Sequence, residues 1–422
     1  MVSILQFMLK HKHMNLALID QTMVSGVNFL TGILFARFLG VKEFGYFTLA
    51  WLTVLFVNSI QMAMISAPMM SIGPKQTENE AASYYGAVVV HQFCFSLLSF
   101  GLIFLGIKTS NFFSPTWKIE HLAWPLALAA FFFQNQDFLR RFFFTTNRLW
   151  LAFLSDGISY FGQLAILIIL FLTTSMDTAK VLFTIASTSA LAMILVSFPL
   201  TKLNWNYKSF IKIFVHHWNF SKWMTASALL QWTSGNLFIV AAGSIIGPAS
   251  VGAIKAAQNI MGISHILFQG LENIVPVRAS FNYTQTGIQG LITYLKKVVL
   301  WGGLATAIIA FSAGLLPEFW LSLFYGVQYQ NFGFILQWYA IIYLLIFIGL
   351  PLRAGLRTLE TTRPIFIAYV LMTIFTIFTA KYFIFYLGIK GVMLGILGTQ
   401  LILQFSLFVA LNRIIKIKNI QK

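Results

Sequence analysis

Apolar stretches long enough to cross a lipid bilayer recur along almost the whole of this sequence. They fall at about 15–38, 46–70, 84–107, 121–143, 149–173 and 181–200. After a polar, basic connection at 201–222 come six more, at about 223–246, 253–275, 298–316, 331–351, 364–387 and 390–411. A hydrocarbon core roughly 30 Å thick takes about 20 residues of helix and leaves no backbone amide or carbonyl unpaired. Segments of this length and number predict an all-α polytopic membrane protein with about 12 transmembrane helices. Composition agrees: mean hydropathy is +0.80 and charged residues are 9% of the chain, against about 25% in a soluble domain. The first run is too long for a signal-peptide core, carries Asp20 and lacks a small-residue cleavage site, so it reads as a retained span.

Basic residues set the expected orientation. With both termini cytoplasmic, 20 of the 28 Lys and Arg residues fall on the inner side, among them Lys75, Arg140, Arg141, Arg148, Lys208, Arg353 and Lys416. The other 8, including Arg37, Lys42 and Lys255, fall on the outer side. Cytoplasmic loops of membrane proteins carry such an excess. It also accounts for the net charge of +17 without a nucleic-acid partner, because the charges are spread over loops and form no patch. The single cysteine, Cys94, excludes an intramolecular disulfide.

The spans divide six and six, which predicts an N-terminal lobe at 1–200, a cytoplasmic linker at 201–222 and a C-terminal lobe at 223–422. An internal echo supports two lobes of like build. Gly40-Val-Lys-Glu-Phe-Gly45 joins spans one and two, and Gly247-Pro-Ala-Ser-Val-Gly252 joins spans seven and eight, 207 residues later. Asn28 and Asn236, both mid-span, repeat at almost the same offset. Repeats of this kind build transporters whose sites lie at the repeat interface.

One helix stands out from the apolar background. Between Lys255 and Asn273 the polar residues Lys255, Gln258, Asn259, His265, Gln269, Glu272 and Asn273 fall on one face, an arc of roughly 140° at about 100° per residue. Such a face cannot look at lipid. It is either an interhelical seam or the wall of a water-filled cavity. A seam needs a partner for both a Lys and a Glu, which favours the cavity.

Enzyme templates find little to match. The sequence has no GxxxxGK[ST] loop, no HExxH and no Cys/His metal spacing, so neither a catalytic centre nor a metal or cofactor is expected. Of the eleven acidic residues, Asp20, Asp137, Asp156 and Glu272 fall within spans. Asp137 and Asp156 read as structural partners of nearby arginines. Asp20 and Glu272 are the candidates for coupling to a proton or cation. Arginines cluster where span four leaves the membrane (Arg140, Arg141, Arg148) and where span ten does (Arg353, Arg357, Arg363). Either they anchor the topology or they gather an anionic head group such as a pyrophosphate. Asn28, Arg37, Asn236, Lys255, Gln258, Asn259, Gln269 and Arg353 complete the set of candidate cavity residues.

The stretch Asp20-Gln-Thr-Met-Val-Ser-Gly-Val-Asn28-Phe29, with Ala36-Arg37-Phe-Leu-Gly40 and Glu43-Phe-Gly45, resembles the opening of the bacterial polysaccharide flippases. These are the Wzx-type O-antigen and capsule transporters, in the superfamily that also holds the multidrug and toxic compound extruders. Asp137-Phe-Leu-Arg-Arg141, Asn147-Arg148 and Asp156 resemble the same family around spans four and five. The match covers about a quarter of the chain, all in its first half.

The resemblance implies a MATE-like fold, two six-helix lobes around a central cavity. It implies a flippase that moves a polyprenyl-pyrophosphate-linked oligosaccharide across the bacterial inner membrane by alternating access. Membrane lipid, a polysaccharide polymerase and chain-length proteins are the partners it implies. The alternatives are a small-molecule exporter of the same fold, against which Arg37 and Lys255 count, and an O-antigen polymerase, against which the short outer loops count.

Overall fold

The computed structural model describes residues 12–110, 119–204 and 207–420, and every regular element among them is helical. The chain ends and most of the loop expected at 108–120 lie outside the described residues. In order, the α-helices are α1 (Lys12–Gln61), α2 (Ala67–Ile72), α3 (Glu78–Lys108), α4 (Ala123–Thr145), α5 (Leu149–Asp156), α6 (Gly162–Thr173) and α7 (Thr178–Val196). They continue with α8 (Tyr207–Ile245), α9 (Pro248–Met261), α10 (Ile263–Leu315), α11 (Pro317–Tyr325), α12 (Gly333–Thr358) and α13 (Arg363–Ile420). One-turn π-helical segments, Met62–Ser66 and Gly157–Phe161, join α1 to α2 and α5 to α6.

Eight helical stretches among the described residues are long and apolar enough to cross a membrane. Three of them break at a glycine with positive φ: Gly40 (φ 75°), Gly287 (φ 66°) and Gly388 (φ 57°). A side chain disfavours that backbone region, and the helical hydrogen-bond ladder cannot run through it. Each of the three therefore reads as two spans. With α4, which carries Gln134, Asn135, Gln136 and Asp137 mid-run and falls outside the apolar set, twelve spans result. The protein is an all-α, multi-pass membrane protein.

The division between spans eleven and twelve falls at Gly388. The spans also extend past the bilayer-length windows read from sequence. Residues 276–286 continue one helix through Pro276, and the next begins directly after Gly287, where the apolar pattern predicts a connection. The linker at 201–222 is likewise helical from Tyr207 onward and continuous with span seven. These segments carry more polar and charged residues than the spans they extend, among them Lys208, Lys212, Arg278 and Asn282, so an apolar-window criterion passes over them.

The described chain forms two compact units. The first comprises the described residues up to 39 and those from 50 to 229, the second residues 40–49 and the described residues from 230 onward. The core of the first packs Met69, Tyr84, Val88, Phe138 and Phe143. The second buries Tyr339, Tyr343 and Phe347 of α12 together with Leu291 of α10. Large apolar side chains such as Leu172, Trp301 and Phe405 stay exposed on the helix flanks. A bilayer solvates such a surface, so it is no liability here.

Candidate functional site: buried charges of the first unit

Helix α4 places six polar residues in eight positions, Gln134 to Arg141. Gln136 and Arg140 are four apart and so share one face, as do Asp137 and Arg141. The Gln136–Arg140 face meets two carboxylates from other helices. Arg140 Nη2 donates to Asp20 Oδ2 of α1 at 3.0 Å. Its Nε lies 2.6 Å from Asp156 Oδ2 at the end of α5, a charge contact whose angle does not suit a directed hydrogen bond. Gln136 donates to the other oxygen of Asp156 at 2.8 Å. Both carboxylates are buried, Asp20 at 1% and Asp156 at 0% exposure.

Two carboxylates facing one guanidinium leave the cluster one positive charge short. Asp20 and Asp156 thus approach the same guanidinium from two different helices. Asp20 Oδ1 is buried with no hydrogen-bond donor among the described residues. The π-helical turn Gly157–Phe161 follows Asp156 directly. Such insertions re-aim the side chains beside them and concentrate at functional sites. Tyr160 stands on that turn, and Asn28 of α1 is exposed. The second face of α4 is self-contained. Arg141 makes a two-pronged contact with Asp137, Nε to Oδ2 at 2.9 Å and Nη2 to Oδ1 at 3.3 Å.

Arg37 and Arg148, also in the first unit, are exposed. No ion pair joins either to another described residue.

The remaining candidates lie in the second unit. The polar stretch at 255–273, of which the Asn273 side chain lies outside the described residues, is divided at Gly262 between α9 and α10. Lys255, partly buried, donates to the neutral Gln258 one turn on at 2.9 Å, and Asn259 beside it is partly buried as well. Beyond Gly262 the face opens. His265, Gln269 and Glu272 are exposed, His265 bonds Tyr343 of α12 at 3.1 Å, and Glu272 meets Arg353 of α12 at 3.5 Å. Asn236 turns its amide onto the Trp232 carbonyl of its own helix. This polar face thus has seam-like contacts at His265 and Glu272, while Lys255 has no carboxylate within ion-pair distance among the described residues. Sequence reasoning did not join Gln136 and Asp156 to Asp20 through Arg140. The available signal was the i, i+4 spacing of Gln136 and Arg140 inside a span.

Comparison with known folds now decides the architecture. The chain superposes on an inward-facing multidrug resistance MATE family transporter of the MOP superfamily, with TM-score 0.70 and 13% identity, covering 92% of this chain and 95% of that one. It superposes on the lipid II flippase MurJ in an inward closed conformation, with TM-score 0.75 and 14% identity over 93% and 87% of the two chains. The fold is the MATE fold. A MOP superfamily transporter from Pyrococcus furiosus, described as having a binding pocket of reverse polarity, is also similar, at TM-score 0.56 and 13% identity over 96% and 93%. The MatE family profile matches residues 224–382. No curated protein sequence matches the chain. Within the MATE fold, the Asp20–Arg140–Asp156 cluster is a buried ionic cluster that links three helices of one unit.

Proposed function

We propose that this protein is a cation-coupled transporter that flips a polyprenyl-pyrophosphate-linked oligosaccharide across the bacterial inner membrane, with both termini cytoplasmic. The observation that carries the coupling is the shared guanidinium of Arg140 between two buried carboxylates. A cluster with a deficit of one positive charge in a low-dielectric interior takes up one monovalent cation, a proton or a sodium ion. Its loss then exposes a charge imbalance that favours a different arrangement of α1, α4 and α5.

The anionic class of the substrate rests on a different set of groups. Among the described residues Lys255 is held only by a neutral amide, and Arg37 and Arg148 are exposed cations. The exposed carboxylate Glu272 is already engaged by Arg353. This balance suits a pyrophosphate better than a cationic drug. The multidrug reading keeps the same fold and the same coupling site but calls for an acidic binding surface.

A side-by-side assay in proteoliposomes separates the two. One arm follows the leaflet position of a short-chain polyprenyl-pyrophosphate oligosaccharide, the other the efflux of ethidium. The proposal predicts movement in the first arm only. Ethidium efflux with no lipid movement would replace it with the exporter reading.

A further inference from the structure

Within the second unit, helix α10 breaks at Gly287, where φ 66° and ψ −150° lie outside the helical range. The two arms that meet there border a polar cavity of about 320 Å³, at the small end of the range for ligand sites, about 300–1,000 Å³. Asn282 and Thr286 line it from the first arm, and Gln289, Thr293, Tyr294 and Lys297 from the second. Gly290 lets the arms approach. A Cβ there would overlap the Thr286 hydroxyl and the Asn282 carbonyl oxygen. The first arm turns its donors on itself: Asn282 donates to the Arg278 carbonyl at 2.7 Å, and Thr286 to the Asn282 carbonyl at 3.1 Å. The donors lining the cavity therefore come mainly from the second arm, as an amide, two hydroxyls and an ammonium.

The charge around this elbow has one sign. No acidic residue occurs between Glu272 and Glu318, whereas Arg278, Lys296 and Lys297 all fall in that interval. Arg278 sits one helical turn before Asn282, on the same face. The elbow follows span eight, so it lies on the membrane face of the termini. Both arms run into exposed apolar surface of the kind a bilayer solvates, Ile274, Val277 and Phe281 before the break, Leu300 and Trp301 after it. Topology alone explains an excess of basic residues on this face. It does not explain a cavity lined by uncharged donors beside them. Cations and neutral donors together grip phosphate oxygens, and the flanking apolar surface suits a phosphate that carries hydrocarbon chains. We infer that the elbow at Gly287 is a binding site for the phosphate headgroup of an anionic membrane lipid, in the leaflet on the side of the termini. Lys297 supplies charge in the cavity, Arg278 adds charge beside it, and Thr293 and Tyr294 orient the headgroup by hydrogen bonds. The inference does not depend on what the protein transports.

Native mass spectrometry of the purified full chain, with phosphatidylglycerol or phosphatidylcholine added, tests this. Phosphatidylglycerol should bind in preference, and Arg278→Gln combined with Lys297→Gln should weaken it about tenfold. Lys296→Gln removes a neighbouring charge that does not line the cavity, and it should leave binding nearly unchanged. Equal binding of the two lipids, or a double variant that binds phosphatidylglycerol as the wild type does, overturns the inference. So does displacement of phosphatidylglycerol by millimolar inorganic phosphate, which would make the cavity a site for the free ion. A second readout needs no charge variant. On a Cys94→Ala background, Gln289→Cys, at an exposed position, should be protected from a maleimide in phosphatidylglycerol nanodiscs and labelled freely in phosphatidylcholine nanodiscs. Equal labelling in both would show that no lipid headgroup occupies the elbow.

Discussion

Asp20 and Asp156 lie far apart in the sequence and converge on one guanidinium, that of Arg140, at 3.0 and 2.6 Å. An arginine shared by two buried carboxylates is not a balanced ion pair, and the three residues respond differently to substitution. Arg140→Ala leaves two carboxylates uncompensated in the membrane interior. Removing one partner of a buried pair costs about 3–5 kcal/mol, so this variant should accumulate poorly. Asp156→Asn leaves a one-to-one pair of Arg140 with Asp20. It should fold normally, keep substrate binding and lose dependence on the driving ion. Thermal stability in detergent and gradient-driven uptake, measured on the same preparations, separate the two effects.

Arg141 and Asp137 form a pair of another kind, within one helix and two-pronged. If the pair is structural, Arg141→Ala and Asp137→Asn should each lower abundance, and the double variant should recover it. The coupling energy from the double-mutant cycle should fall at about 0.5–3 kcal/mol, as for groups in direct contact. Additive losses, together with loss of export at full abundance, would place Arg141 in the substrate path instead.

Lys255 gives a third expectation. Its ammonium is held by Gln258 and, among the described residues, by no carboxylate, so Lys255→Gln should leave the fold stable and weaken binding of the anionic substrate, raising KM. Lys255→Arg should retain most of the affinity, since it keeps the charge. An unchanged KM in Lys255→Gln would remove this residue from the substrate site.

Much of the fold is legible in the sequence because the bilayer imposes its own length on every span. What is not legible is helix outside the hydrocarbon. Residues 276–286 and the start of α8 are helical without an apolar run to announce them. The candidate site shows the same limit. That Asp20, Asp137, Arg140 and Asp156 lie inside or at the edge of spans can be read from the chain. Which carboxylate meets which arginine depends on how α1, α4 and α5 pack, and a twelve-span pattern leaves that open. The two GxxxxG turns were visible as an echo, but only coordinates show each resting on the other.

The 255–272 face makes a fourth prediction. Cysteines introduced singly at Gln269 and Glu272, both exposed, should react with an impermeant thiol reagent. Lys255→Cys, partly buried, should react at least several-fold more slowly, and Ile260→Cys, 5% exposed, not at all. Equal silence at all four positions would mean that this face is a packed seam along its whole length.

The most direct measurement is ion-dependent flipping by the purified protein. Proteoliposomes holding a short-chain polyprenyl-pyrophosphate oligosaccharide would be given a proton gradient, a sodium gradient or neither, and the carrier reaching the far leaflet counted. One of the two gradients should accelerate transfer in the wild type, and Asp156→Asn should move the carrier at one gradient-independent rate. Transfer by the wild type at the same rate under all three conditions, or none at all, would contradict the account that Asp20, Arg140 and Asp156 couple a cation to the movement of a lipid-linked sugar.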